Sequence, residues 1–180
     1  VYVLGNFTAL LLFGRLADQI GRRSASLPAI GVCMASAAVF AAAAGTPWLF
    51  VGRGLSGFAT GLAAGAATAW IAELYAGSQQ GAAARIAAAA NFFGCSAGPL
   101  MSGLLAQFAF WPLRLPFFAY LVLLCVVAAS MLFVPETLAK PKLLREVSLK
   151  PRFGVPQQIW LAFVAPATAA FATFALIAFY

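Results

Sequence analysis

The chain has 180 residues, of which 64% are apolar and only 8% charged, and its mean hydropathy is +0.97. Soluble domains carry roughly 25% charged residues, so this composition excludes a water-soluble globular domain and indicates a polypeptide surrounded by lipid. Histidine is absent, and the three cysteines lack the spacing of a metal site or a redox pair, so we expect no metal, no cofactor and no enzymatic activity.

Six apolar stretches, separated by charges and turn signals, predict an all-α, polytopic bundle of transmembrane helices. About 20 apolar residues are needed to cross a hydrocarbon core of roughly 30 Å. The first stretch is too short to cross by itself, and the last ends without a flanking loop, so we expect both ends of the chain to be cut. The predicted stretches are 1–14, 25–44, 47–72, 86–108, 113–134 and 158–180.

The basic residues are distributed asymmetrically, although the net charge of +7 by itself would also suit a nucleic-acid partner. Nine of the eleven fall in three loops that alternating spans place on one side of the membrane, which is the positive-inside signal. We therefore expect a plasma-membrane protein, of the bacterial inner-membrane type, with these loops in the cytoplasm and against anionic headgroups. Nucleic acid is excluded as a partner. The nine are Arg15, Arg22, Arg23, Arg85, Lys140, Lys142, Arg145, Lys150 and Arg152.

The segment 14–23, with the sequence G-R-L-A-D-Q-I-G-R-R, joins the first two apolar stretches. It brings the carboxylate of Asp18 among three guanidinium groups, and Gly14 and Gly21 permit a tight turn between helices. Ser24 is predicted to cap the second helix. The uncharged turn 45–47 is so short that the second and third helices are predicted to be antiparallel neighbours.

Small residues repeat every four positions in the third stretch, at Gly57, Gly61 and Gly65. Such spacing lets helix backbones approach closely inside a membrane. We interpret the repeat as a packing face. The alternative is a face along which helices slide or rock during function, which the spacing alone does not show.

Arg53 is the one charged residue inside a predicted span. An arginine at mid-membrane costs about 2.5–3.5 kcal/mol, so such residues usually have a partner or a function. Arg53 lies six residues beyond Pro47, about 9 Å along a helix, and its side chain could instead extend to the outer interface. We favour an interior role beside Gly57, with an acid or carbonyl of another helix, or an anionic substrate group, as the partner.

The fourth stretch carries Pro99 between glycines at positions 94, 98 and 103, in the sequence G-C-S-A-G-P-L-M-S-G. Pro99 removes one helical hydrogen bond and predicts a bend, while the glycines allow another helix to approach.

We divide the chain into a helix bundle at 1–135, a cytoplasmic linker at 136–158 and the first helix of a second bundle at 159–180.

No predicted span contains a carboxylate. All four acids, Asp18, Glu73, Glu136 and Glu146, lie in a loop or at the cytoplasmic end of a span. If protons drive a process in this protein, the titrating acid is therefore expected outside this chain.

Together these features resemble the major facilitator superfamily. The loop Gly14-x-Leu-Ala-Asp18-x-x-Gly21-Arg22-Arg23 is similar to the family's loop between its second and third helices, with Gln19 where a basic residue is usual. Arg53-x-x-x-Gly57 resembles the fourth-helix motif. Gly94-x-x-x-Gly98-Pro99-x-x-Ser-Gly103 resembles the fifth-helix antiporter motif, and the sequence Val-Pro-Glu-Thr at 134–137 resembles the end of the sixth helix.

The resemblance implies that the chain covers helices two to seven of a twelve-helix transporter that works as a monomer by alternating access. Asp18 and the bases at 22 and 23 would latch its halves together on the cytoplasmic side. The fifth-helix motif implies the drug/proton antiporter branch, and thus export of a drug-like or small amphipathic molecule in exchange for protons. Uptake of sugars or organic solutes with protons is the alternative, and a non-transporting membrane scaffold is the second. The substrate is not specified.

Overall fold

The computed structural model describes residues 1–13, 16–75 and 80–136, and the single positions Val164 and Thr168. Helices and turns account for the described residues, which include no β-strand, so the predicted all-α fold is confirmed. The chain divides into two compact units, Val1–Lys150 and Pro151–Tyr180, and the contacts below belong to the first. Its helices are α1 (Tyr2–Phe13), α2 (Leu16–Ile20), α3 (Arg22–Ala41), α4 (Thr46–Leu74), α5 (Gln80–Phe108) and α6 (Leu115–Met131).

The long helices follow the predicted apolar stretches closely. In the described part of the chain, α3 with 20 residues and α4 with 29 are long and apolar enough to cross a membrane. Pro47 lies in the first turn of α4, where its missing N–H is not needed. Helix α5 begins six residues before the predicted 86–108, because an alanine-rich segment favours helix over loop. The predicted linker and final helix lie outside the described residues, except for Glu136, Val164 and Thr168.

Helices α1 and α4 pack in parallel through the predicted glycine face. A Cβ atom on Gly57 would overlap the carbonyl oxygen of Tyr2, and one on Gly61 would lie 2.6 Å from the carbonyl oxygen of Asn6. Only hydrogen at these two positions allows the backbones to approach so closely. No described residue lies within 4 Å of the Cβ position of Gly65, so the packing role is confirmed for two of the three glycines.

Helices α3 and α4 are antiparallel, as the short turn predicts. Near that turn, the Ser36 hydroxyl donates a buried hydrogen bond of 2.8 Å to the Gly52 carbonyl oxygen. At the far end of the pair, Arg22 contacts Glu73. Helix α6 packs on α3, with the Phe117 ring stacked on the Phe40 ring at a centroid distance of 5.1 Å. We call the two ends of the bundle the Arg22 end and the Phe40 end.

Candidate functional site: an ion cluster and two open helix faces

Arg22 is the centre of an ion cluster that joins three helices. Its Nη1 atom donates to Asp18 Oδ1 of α2 at 2.5 Å, and its Nη2 and Nε atoms donate to Glu73 Oε1 of α4 at 2.7 and 3.1 Å. The Arg22 side chain is only 12% exposed, against 56% for Asp18 and 39% for Glu73. A guanidinium group with several fixed donors suits such a shared position, and Arg22 thereby ties α2 and α4 to the start of α3.

Glu136, which follows α6, holds the N-terminus of α3. Its two carboxylate oxygens accept hydrogen bonds from the backbone N–H groups of Arg22 (2.9 Å) and Arg23 (3.0 Å). The first N–H groups of a helix lack intrahelical partners and carry partial positive charge, so a carboxylate there is favourable. A segment 114 residues away along the chain therefore acts as the cap of this helix.

Gly21 makes this contact possible. It is the N-cap residue of α3, with φ of 104°, a region that glycine adopts and other residues avoid. A Cβ atom there would lie 2.5 Å from Glu136 Oε2. The prediction that Ser24 caps this helix is wrong, because the helix starts at Arg22 and leaves Ser24 exposed within its first turn.

The structure thus brings four of the five residues predicted for the cytoplasmic gate to one place: Asp18, Gly21, Arg22 and Arg23. The fifth, Gly14, lies outside the described residues. The connection also contains α2, where a loop is expected from the sequence, because Ala17, Gln19 and Ile20 turn inward and are buried. Gln19 is 8% exposed, and a basic side chain buried there would lose its hydration.

Arg53 lies at the Phe40 end, exposed on α4. Its guanidinium carbon lies 5.6 Å from the centroid of the Phe40 ring, which is a cation–π distance. It makes no hydrogen bond or ion pair with the residues that the structure describes. An interior partner from another part of the protein stays a prediction.

A polar stripe runs along α4 from Arg53. Thr60 and Thr68 are exposed on this side and Ser56 is half-buried. Both threonine hydroxyls donate to carbonyl oxygens four residues back, on Ser56 at 2.9 Å and on Ala64 at 2.7 Å. The stripe therefore presents oxygen atoms at the exposed positions Thr60 and Thr68 of α4.

Helix α5 presents the proline–glycine motif on an open surface. Pro99 lies within the helix, which continues to Phe108. Gly94, Gly98 and Gly103 have nothing within 4 Å of their Cβ positions among the described residues. Large apolar side chains share this exposure: Phe92, Phe93, Leu100, Met101 and Leu104.

The sequence profile of the Major Facilitator Superfamily matches this chain over residues 1–180. The chain belongs to the major facilitator superfamily. Members of this family carry small molecules across a lipid bilayer. One similar protein is "Solute carrier family 2, facilitated glucose transporter member 10" of Mus musculus, with 37% identity over 79 residues. The match covers 44% of this chain and 15% of the relative's length.

The sequence of this major facilitator chain placed Glu73 and Glu136 on the cytoplasmic side, but it did not identify them as the partners of Arg22 and Arg23. A signal for both was present, since each lies at the end of a predicted span on the same side as Arg22. Which acid pairs with which base depends on how the helices pack, and the distribution of charge along the sequence does not determine that packing.

No group of three or more histidine, cysteine or acidic residues suited to a metal ion occurs in the described part of the chain.

Proposed function

We propose that this protein exports a small amphipathic molecule across the plasma membrane in exchange for protons, by alternating access. The observation that carries the proposal is the face of α5 around Pro99, where no described residue lies within 4 Å of the Cβ positions of three glycines. A motif of this kind is characteristic of the exchanging exporters that the sequence resembles. In this proposal the Arg22 end faces the cytoplasm of a bacterial cell, and the protein acts as a monomer.

The polar stripe of α4 supports a solute path along that helix. The guanidinium of Arg53 would be costly against lipid, and a residue of this kind usually faces a cavity or another helix. In our proposal Arg53 meets an anionic group, either of the substrate or of a helix outside this chain. Apart from Arg53 the stripe carries no charge, which suits a weakly polar solute.

The ion cluster supports a gate at the Arg22 end. Asp18, Arg22, Glu73 and Glu136 tie α2, α3, α4 and the segment after α6 into one assembly. Transport by alternating access requires a bundle that moves as a unit. The described spans α3, α4, α5 and α6 contain no carboxylate apart from Glu73 near the end of α4, so we propose that the proton-binding acid lies elsewhere in the protein.

Uptake of a sugar or an organic solute with protons is the second candidate. It is favoured by the similarity to the mouse protein named as a facilitated glucose transporter. The two candidates differ in direction and in solute, and both use the same helices. A transport assay with defined gradients therefore separates them.

The test uses membrane vesicles that contain the protein, in everted and right-side-out form. Everted vesicles with an acidic interior should accumulate a lipophilic dye from a panel of amphipathic compounds. We expect Pro99→Ala to lower this rate at least about tenfold, equivalent to about 1.4 kcal/mol in the barrier, because a straightened α5 no longer fits its partner.

Pro28→Ala is the matched control, since Pro28 also lies inside a helix, exposed on α3. It should keep most of the wild-type rate. Accumulation of labelled glucose in right-side-out vesicles, with no dye export, would replace the lead proposal by the second candidate. Equal dye export by wild type and Pro99→Ala would overturn the role given to α5.

A further inference from the structure

A pocket of about 350 Å³ opens at the Phe40 end of the molecule, in the turn between α5 and α6. Apart from one arginine, its walls are apolar or aromatic. The lining residues are Trp111, Pro112, Leu113, Arg114 and Phe118. The transport path and the ion cluster proposed above use none of them.

Backbone hydrogen bonds fix the shape of this turn. The Trp111 carbonyl oxygen accepts from the N–H groups of Arg114 (3.1 Å) and Leu115 (2.9 Å). The Arg114 carbonyl oxygen in turn accepts from the N–H groups of Phe117 (3.0 Å) and Phe118 (3.2 Å). Arg114 is therefore held beside the pocket by the start of α6.

The charge of Arg114 is not balanced by any carboxylate that the structure describes. Its side chain makes no hydrogen bond or ion pair there, and Asp18, Glu73 and Glu136 are gathered at the opposite end. The Trp111 and Leu113 side chains beside it are 67% and 84% exposed. Tryptophan beside a cation at a helix end is typical of the level where lipid headgroups meet the hydrocarbon.

We propose that this pocket binds an anionic phospholipid. The headgroup phosphate contacts the Arg114 guanidinium, and the adjoining glycerol and acyl carbons pack on the rings of Trp111 and Phe118. A guanidinium group suits a phosphate, and the apolar walls beside it suit the carbon atoms next to that phosphate, so the pocket matches an amphipathic anion. This inference does not depend on the direction or the substrate of transport.

The test measures binding of phosphatidylglycerol to the purified whole protein in detergent, by native mass spectrometry of lipid adducts. Arg114→Gln is expected to weaken binding about fivefold, the effect of one basic residue near an anionic lipid. Arg114→Lys, which keeps the charge, should retain most of the binding. Arg85→Gln is the matched control, because exposed Arg85 loses the same charge at the other end of α5.

Three further arms distinguish the occupant. Phosphatidylcholine should bind more weakly than phosphatidylglycerol, inorganic phosphate should not displace the lipid, and Phe118→Ala should also weaken lipid binding. Equal losses in Arg114→Gln and Arg85→Gln would mean general surface attraction and overturn the proposal. Displacement of the lipid by inorganic phosphate would show that the pocket is a site for free anions. Binding of phosphatidylcholine as strong as that of phosphatidylglycerol would show that the charge of the lipid has no role. Either result would also overturn the proposal.

Discussion

Alanine at Gly57 is expected to lower the free energy of unfolding by about 3 kcal/mol, the upper part of the usual range for overpacking. The added methyl group would overlap the backbone carbonyl of Tyr2, and its carbon would lie 2.8 Å from the carbonyl carbon. Backbone cannot rotate away as a side chain can. Helices α1 and α4 must therefore separate, which also loosens the neighbouring contact at Gly61.

Gly65→Ala is the matched control, since Gly65 lies on the same helix and no described atom lies within 4 Å of its Cβ position. Thermal unfolding followed by circular dichroism in detergent should show a large decrease in midpoint for Gly57→Ala and little change for Gly65→Ala. Equal midpoints for the two variants would contradict the parallel packing of α1 on α4.

Removal of the Glu136 carboxylate is expected to cost about 2 kcal/mol of stability, from the loss of a helix cap and of two charge-assisted hydrogen bonds. Glu136→Ala leaves the N–H groups of Arg22 and Arg23 without their acceptors. Gly21→Ala should break the same contact by another route, since its Cβ would lie 2.5 Å from Glu136 Oε2 and its φ of 104° would be strained.

The two changes should not be additive, because each breaks the same contact. The double variant Gly21→Ala with Glu136→Ala is expected to lose less stability than the sum of the single losses. Ser24→Ala serves as the control for the cap and should leave the free energy of unfolding within about 0.5 kcal/mol of wild type. A loss from Ser24→Ala as large as that from Glu136→Ala would contradict the capping geometry.

Much of the helical framework follows from local sequence. Apolar stretches bounded by charges gave the positions of α3 and α4, and the short turn 45–47 gave their antiparallel arrangement. Glycine spacing predicted the packing face of α4, although the structure is needed to show that Gly65 lies outside it. These features are determined by apolar residues and by short connections within one or two neighbouring helices. A pattern in the sequence is therefore enough to predict them.

The features that sequence missed depend on contacts between distant segments. Glu136 caps a helix that begins 114 residues earlier, and no local pattern identifies a carboxylate at that distance as a cap. For the same reason Ser24, a good local candidate, was wrong. Glu73 pairs with Arg22 because the antiparallel packing of α3 and α4 places the two residues side by side. The partner of Arg22 is therefore determined only when the helices have packed.

The motifs identified the family correctly but do not fix the solute. The α5 motif favours an exchanging exporter, while the similarity to a mouse protein named for glucose transport favours uptake. Solute choice in such a protein depends on a few side chains that face a cavity formed by both bundles. In our proposal this chain contributes the polar stripe of α4 and Arg53 to that choice.

The central claim is that the Arg22 cluster is part of the transport machinery, and its most direct test is the rate of transport in a double-mutant cycle. Arg22→Gln leaves the carboxylates of Asp18 and Glu73 without their shared cation. We predict a loss of at least about tenfold, or 1.4 kcal/mol in the barrier. Adding Glu73→Gln should recover part of that loss, because one of the two carboxylates that lose the Arg22 cation is then neutral. Wild-type transport by Arg22→Gln, or additive losses in the double variant, would contradict the claim.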